Sequence, residues 1–228
     1  MDWLPAVDIY CERTSPTFWA EPLNAISNMA FPVAALWAAA AARGRGIADR
    51  LVWLLIAMAA CVGLGSFLFH TFANRWSEFA DTIPIWSFVA LFVFVAMHKI
   101  GGMKVGRVLA IALAVAAIVT IVFLATGEGE GGQTVSATDP LNGSGQYAPA
   151  VLALFAFATI SQWRGHPMRH WIASAAAIFM LSLTFRTVDM AVCPSLPIGT
   201  HFIWHLLNAA MIGMLLQVLI RSPQSSKV

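Results

Sequence analysis

Apolar residues in this chain arrive in long runs, and the polar ones are gathered between them. Seven runs approach the roughly 20 residues that a helix needs to cross the hydrocarbon layer of a bilayer. They lie near 23–42, 51–73, 79–98, 107–126, 147–163, 171–192 and 200–220. The fifth is the shortest. The connections are brief, except for GEGEGGQTVSATDPLNGSGQ between the fourth and fifth runs, whose Gly, Ser and acidic residues read as an exposed loop. The pattern predicts an all-α integral membrane protein, a seven-helix bundle over 23–220. A polar leader over 1–22 precedes it, and a short cytoplasmic tail over 221–228 follows. The leader has no basic stretch followed by a short apolar core, so it does not read as a cleavable signal peptide.

Charge gives the bundle a direction. Lys and Arg are retained in cytoplasmic loops. Arg43, Arg45 and Arg50 fall between runs one and two, Lys99, Lys104 and Arg107 between three and four, Arg164 and Arg169 between five and six, and Arg221 and Lys227 after the seventh. Nearly all the acids fall on the opposite side, with Asp49 the exception. The N-terminus is therefore expected outside and the C-terminus in the cytoplasm. Composition agrees: 59% of residues are hydrophobic and only 11% charged, against about 25% charged in an average soluble domain. A net charge of +2 gives no electrostatic case for nucleic acid, and no feature demands a protein partner.

Against this background the membrane-embedded polar residues are candidates for chemistry, because ionisable groups are costly there. His98, His166 and His170 sit at cytoplasmic ends and read as interfacial. The other three histidines differ. Ser66 and His70, four apart, share a face near the outer end of the second run. Asp81 lies in the first turn of the third. His201 and His205, also four apart, share a face at the outer start of the seventh. An i, i+4 histidine pair with a third histidine can hold one metal ion and leave a fourth position for water, the pattern of a catalytic zinc site. Asp81 could then act as general base and acid, and Ser66 could donate to a developing oxyanion. The plainer readings are interhelical hydrogen bonds for the histidines and a helix cap for Asp81.

Three weaker sets lie on the outer side. Asp8, Glu12 and Glu21 suit a hard cation such as calcium, although a solvated acidic leader is the simpler account of them. Cys11 and Cys193 could pair in an oxidising compartment. Arg186 and Asp189, three apart in the sixth run, could pair with each other or with the leader.

Taken in order, DIYCER, AEPLNAISN, GSFLFH, Asp81 eleven residues beyond His70, Cys193 and HFIWH resemble the alkaline ceramidase family, within the seven-helix hydrolases that include the adiponectin receptors. The resemblance runs over nearly the whole chain. It implies an intramembrane zinc amidase that cleaves ceramide, or a related acylated membrane lipid, into a base and a fatty acid. It implies His70, His201 and His205 as zinc ligands, Asp81 acting on the water and Ser66 on the oxyanion. It also implies a calcium ion held by Glu12, Glu21 and Asp8, and a Cys11–Cys193 disulfide. Thr14 stands where the animal enzymes place an asparagine ligand to that calcium. The compact form resembles bacterial members, which implies a multi-pass inner-membrane protein with its active site toward the periplasm.

Other functions are weighed by the same residues. A lipid receptor or sensor with a structural zinc and little turnover is the main alternative. A retinal protein would need a buried Schiff-base lysine, and Lys99, Lys104 and Lys227 all lie outside the interiors of the runs. A proton channel would need a polar path across the bundle, whereas these residues cluster at one end.

Overall fold

The computed structural model describes residues 3–126 and 139–222. The long loop therefore falls partly, and the tail almost wholly, outside the described residues. The regular elements among those residues are all helices, with one isolated bridge between Ala6 and Asn74 and no strand. The helices are α1 (Pro22–Ser27), α2 (Ala30–Gly44), α3 (Arg50–Phe72), α4 (Arg75–Lys99), α5 (Val105–Thr126), α6 (Ala148–Trp163), α7 (Arg169–Val192) and α8 (His201–Arg221), with a 3₁₀ turn at Ser144–Tyr147 leading into α6. Among the described residues, Pro22–Gly44, Arg50–Phe72, Arg75–Lys99, Ser144–Trp163, Arg169–Val192 and His201–Arg221 are six segments long and apolar enough to cross a membrane.

The first apolar run is two helices in line. The Pro32 nitrogen carries no proton for the Asn28 carbonyl, and the Phe31 N–H takes that carbonyl at 3.1 Å in a tighter turn. The Asn28 carbonyl lies against Gly63 of α3, where a Cβ would meet it at 2.7 Å. In α4, Pro84 likewise cannot donate to the Ala80 carbonyl. That carbonyl turns to Gly65 of α3, where a Cβ would sit only 2.0 Å from the oxygen. Small residues at two points of α3 thus admit the backbones of its neighbours on both sides.

α8 is the most enclosed element, packed against α2, α3 and α7. α5 lies at the edge, with Val108 as its buried residue among those described. Arg43, Arg50 and Lys99 mark one end of the bundle, and His70 and His201 mark the other. Asp49 caps α3 through the Leu51 N–H and pairs with Lys99, which accounts for its place among the bases.

The leader folds back over the histidine end. Its Val7 N–H bonds to the Ala73 carbonyl and its Trp3 carbonyl accepts from Trp76. A disulfide joins Cys11 to Cys193, as the resemblance implies. Asp189, 1% exposed, completes the joint. Its carboxylate accepts from the N–H groups of Thr200 (2.6 Å) and His201 (2.9 Å) at the start of α8 and of Cys11 (3.0 Å) in the leader. An acidic group on the free N–H groups of a helix start is favourable twice, by hydrogen bond and by dipole. Gly199, with φ +61°, makes room: a Cβ there would lie 2.2 Å from the Asp189 carboxylate. So Asp189 serves the leader and α8. Arg186 turns the other way, donating to the Asn142 carbonyl and the Ser144 hydroxyl.

Candidate metal centre

Two helix ends deliver the three imidazoles. His70 stands in the last turn of α3, and His201 and His205 begin α8 one turn apart. Their ring centroids are 5.2 Å (His70–His201), 4.7 Å (His70–His205) and 4.6 Å (His201–His205) apart. One nitrogen from each falls within 4.8 Å of the others, and all three rings are buried. Zinc–nitrogen bonds near 2.0–2.1 Å in a tetrahedron put ligand nitrogens about 3.4 Å apart, a small contraction from this arrangement. His70 Nε2 and His201 Nδ1 are buried with no hydrogen-bond partner. Orphaned ring nitrogens are costly in an apolar interior, and a shared metal ion removes that cost for the set. The donors therefore fit a divalent metal that accepts imidazole.

Two of the three rings are oriented from the N-terminal segment. His70 Nδ1 lies 2.6 Å from Glu21 Oε2, and His205 Nδ1 lies 2.8 Å from the Ser27 hydroxyl. Partners of this kind fix the tautomer and tilt of a ligating imidazole. Burial acts to raise the Glu21 carboxyl, but the charge and hydrogen bond of His70, with Asn24 and Arg13, hold it below its ordinary value. The Tyr10 ring, brought in by the leader, stacks on His201 at 3.7 Å. Burial pushes the Tyr10 phenol far up, so it stays neutral.

Ser66 and Asp81 stand on either side of the α3–α4 seam beside Gly65. Asp81 Oδ1 is buried without a partner. Asp81 does not cap α4; Asn74 does, in a reciprocal box with Ser77. Both Ser66 and Asp81 line a cavity of about 670 Å³, together with Tyr10, His201 and His205. That volume falls within the range of about 300–1,000 Å³ usual for small-molecule sites. The cavity follows α4 from Asp81 to Met97, about 24 Å along a helix axis. Its walls include Phe88, Phe92, Phe157 and Phe179, and it ends at Arg164 and His166. The pairs Trp86–Tyr147 and Phe92–Phe157 bridge α4 to the α6 side.

The leader carboxylates behave differently. Glu12 accepts from the Leu23 and Asn24 N–H groups at 2.8 Å each, capping α1. Glu21 reaches His70, Arg13 and Asn24, and Asp8 is exposed. Sequence reasoning assigned no part to Ser27, Arg13 or the Tyr10 ring, and it read Glu21 through the leader alone. Ser27 lies in AEPLNAISN, a segment that carried family likeness without a role for each residue.

No curated protein matches this sequence. The family model described as Ceramidase matches residues 9–227, nearly the whole chain. With three buried imidazoles converging, two of them in the wall of a long, mainly apolar cavity, the chain belongs to the ceramidase family, which implies a hydrolase acting on the amide bond of a lipid such as ceramide.

Proposed function

We propose that this protein is a zinc-dependent intramembrane amidase that hydrolyses the N-acyl bond of ceramide or a closely related lipid. The observation that carries the proposal is the position of the histidine trio: buried and convergent, with His201 and His205 in the wall of a long, mainly apolar cavity. His70, His201 and His205 would hold the metal. A zinc ion in such a site lowers the pKa of its water to about 7 and polarises a carbonyl. Asp81, on the cavity wall, accepts a proton from the attacking water and returns it to the leaving nitrogen. Ser66, on the same cavity wall, donates its one hydroxyl proton to the carbonyl oxygen as it gains charge. Tyr10 stacks on His201 in the cavity wall and contributes no charge.

The cavity matches an acyl chain. Its run of about 24 Å along α4 exceeds the ~15 Å depth of one leaflet, half of the hydrocarbon core. The chain enters sideways from lipid, between α4 and α6, and the amide stops at the histidines. In this reading the bundle over 23–220 is one domain of seven spans, α5 supplying the seventh. The basic end faces the cytoplasm, and the leader and metal centre face the outside, the periplasm in a bacterial inner membrane.

Purified wild type and His201→Ala are compared for bound metal by plasma mass spectrometry and for fatty acid released from ceramide by lipid mass spectrometry. The variant is expected to lose both together. Hydrolysis that persists in a variant without metal would end the proposal.

A further inference from the structure

The resemblance implies a calcium ion in the leader, and the residues present do not fit one. Calcium takes six to eight oxygens at 2.3–2.6 Å. Both Glu12 oxygens are turned to the N–H groups of Leu23 and Asn24. Glu21 directs Oε2 to His70 Nδ1 and Asn24 Nδ2, and Oε1 to the guanidinium of Arg13 at 2.5 Å. Asp8 is exposed at the rim of the leader. Among the described residues, the group of His, Cys, Asp and Glu whose ligand atoms converge is the histidine trio, and the leader acids do not join them.

A positive charge is nevertheless built into this place. Arg13 is 8% exposed and Glu21 is 2% exposed. Arg13 Nε donates to Glu21, Nη1 to the Ser15 carbonyl at 3.2 Å, and Nη2 to the His70 carbonyl at 3.0 Å. The guanidinium thus gathers a carboxylate and two backbone oxygens, the same donor types that a hard cation would collect. It also ties Glu21 and the backbone of His70 to one rigid planar group, which a point-charge ammonium would not do.

We propose that Arg13 takes the place of the calcium ion in this chain, as a covalently attached cation that holds Glu21 against His70. Arg13 is then a positioning residue for the metal centre and makes no contact with substrate. The part of the proposal that concerns His70 rests on the zinc reading; the part that concerns calcium does not.

Two measurements test it. Full-length wild type in detergent is titrated with calcium chloride by calorimetry, and its melting temperature is recorded with millimolar calcium or with a calcium-selective chelator. No saturable binding and no shift in melting are expected. Saturable binding of one equivalent with a rise in melting temperature would overturn the proposal, whatever the enzyme's activity. In Arg13→Gln, Glu21 loses its clamp, and zinc affinity measured by competition with a chromogenic chelator should fall 10- to 100-fold, the usual effect of removing a group that orients a ligating histidine. Unchanged zinc affinity in a folded Arg13→Gln would overturn the positioning role. The wild-type calcium titration needs no variant, so a misfolded Arg13→Gln does not shield the proposal.

Discussion

Gly65→Ala separates the acid–base pair from the metal. A Cβ at this position would stand 2.0 Å from the Ala80 carbonyl oxygen, and real Cβ atoms essentially never come within 3.0 Å of a neighbour. The obstacle is backbone, so the seam between α3 and α4 must open by about 1 Å, an overpacking change that costs about 1–3 kcal/mol. Alanine returns about 1 kcal/mol through its better helix propensity. The net loss of stability is then about 0–2 kcal/mol. The effect on turnover is larger, because Asp81 follows Ala80 directly and moves with it. A misplacement near 1 Å costs about 10²-fold in rate, equivalent to about 2.7 kcal/mol. His70 is held separately by Glu21 and Arg13, so metal should stay. The assay is single-turnover hydrolysis of ceramide with metal content measured on the same sample. Pro84→Ala provides the control: it restores an N–H for the Ala80 carbonyl, draws that oxygen back into α4, and should recover part of the lost rate in the double variant. Turnover within twofold of wild type in Gly65→Ala would refute the reasoning. So would loss of metal in step with loss of rate.

Asp81→Asn should keep stoichiometric metal and lose at least 10²-fold in turnover, and wild-type rates at full metal occupancy would remove Asp81 from the reaction. Asp189→Ala strands three backbone donors at the junction of leader and α8, and should destabilise by about 2–4 kcal/mol, read as a lowered melting temperature in detergent; a fall of under 1 kcal/mol would show that water replaces the carboxylate there. Cys11→Ser, or reductant on wild type, should cost about 2–5 kcal/mol through the long loop that the disulfide closes, and a melting curve unmoved by reductant would contradict this.

How far these features could be read from sequence depends on the distance over which each is decided. The spans follow from apolar runs that must match a bilayer, and the structure places helices over all seven. The break at Asn28–Met29 was not read, because Pro32 permits a continuous helix as easily as a kink; what decides is Gly63 on another helix. Ser66 and His70, and His201 and His205, were placed by helical spacing, and their convergence followed from the depth that charge assigned to them. Glu21 was harder. Acids in a leader announce a cation nearby without naming it, and the partners in the structure are Arg13 and the ring of a histidine 49 residues away. Asp189 was open between two partners three residues away and in the leader, and it took the leader because α8 presents free N–H groups beside it.

The joint between Cys11 and Cys193 also sets a timetable. The two cysteines are separated by 182 residues, a stretch that takes roughly 10–40 s to synthesise at about 5–20 residues per second. Through that interval the nascent chain carries the Cys11 thiol and one histidine of the trio, His70. Two of the three ligands arrive with the final helix. Under the zinc proposal the site would be complete only once α8 has been made, and a chain halted before it would lack two of the three ligands.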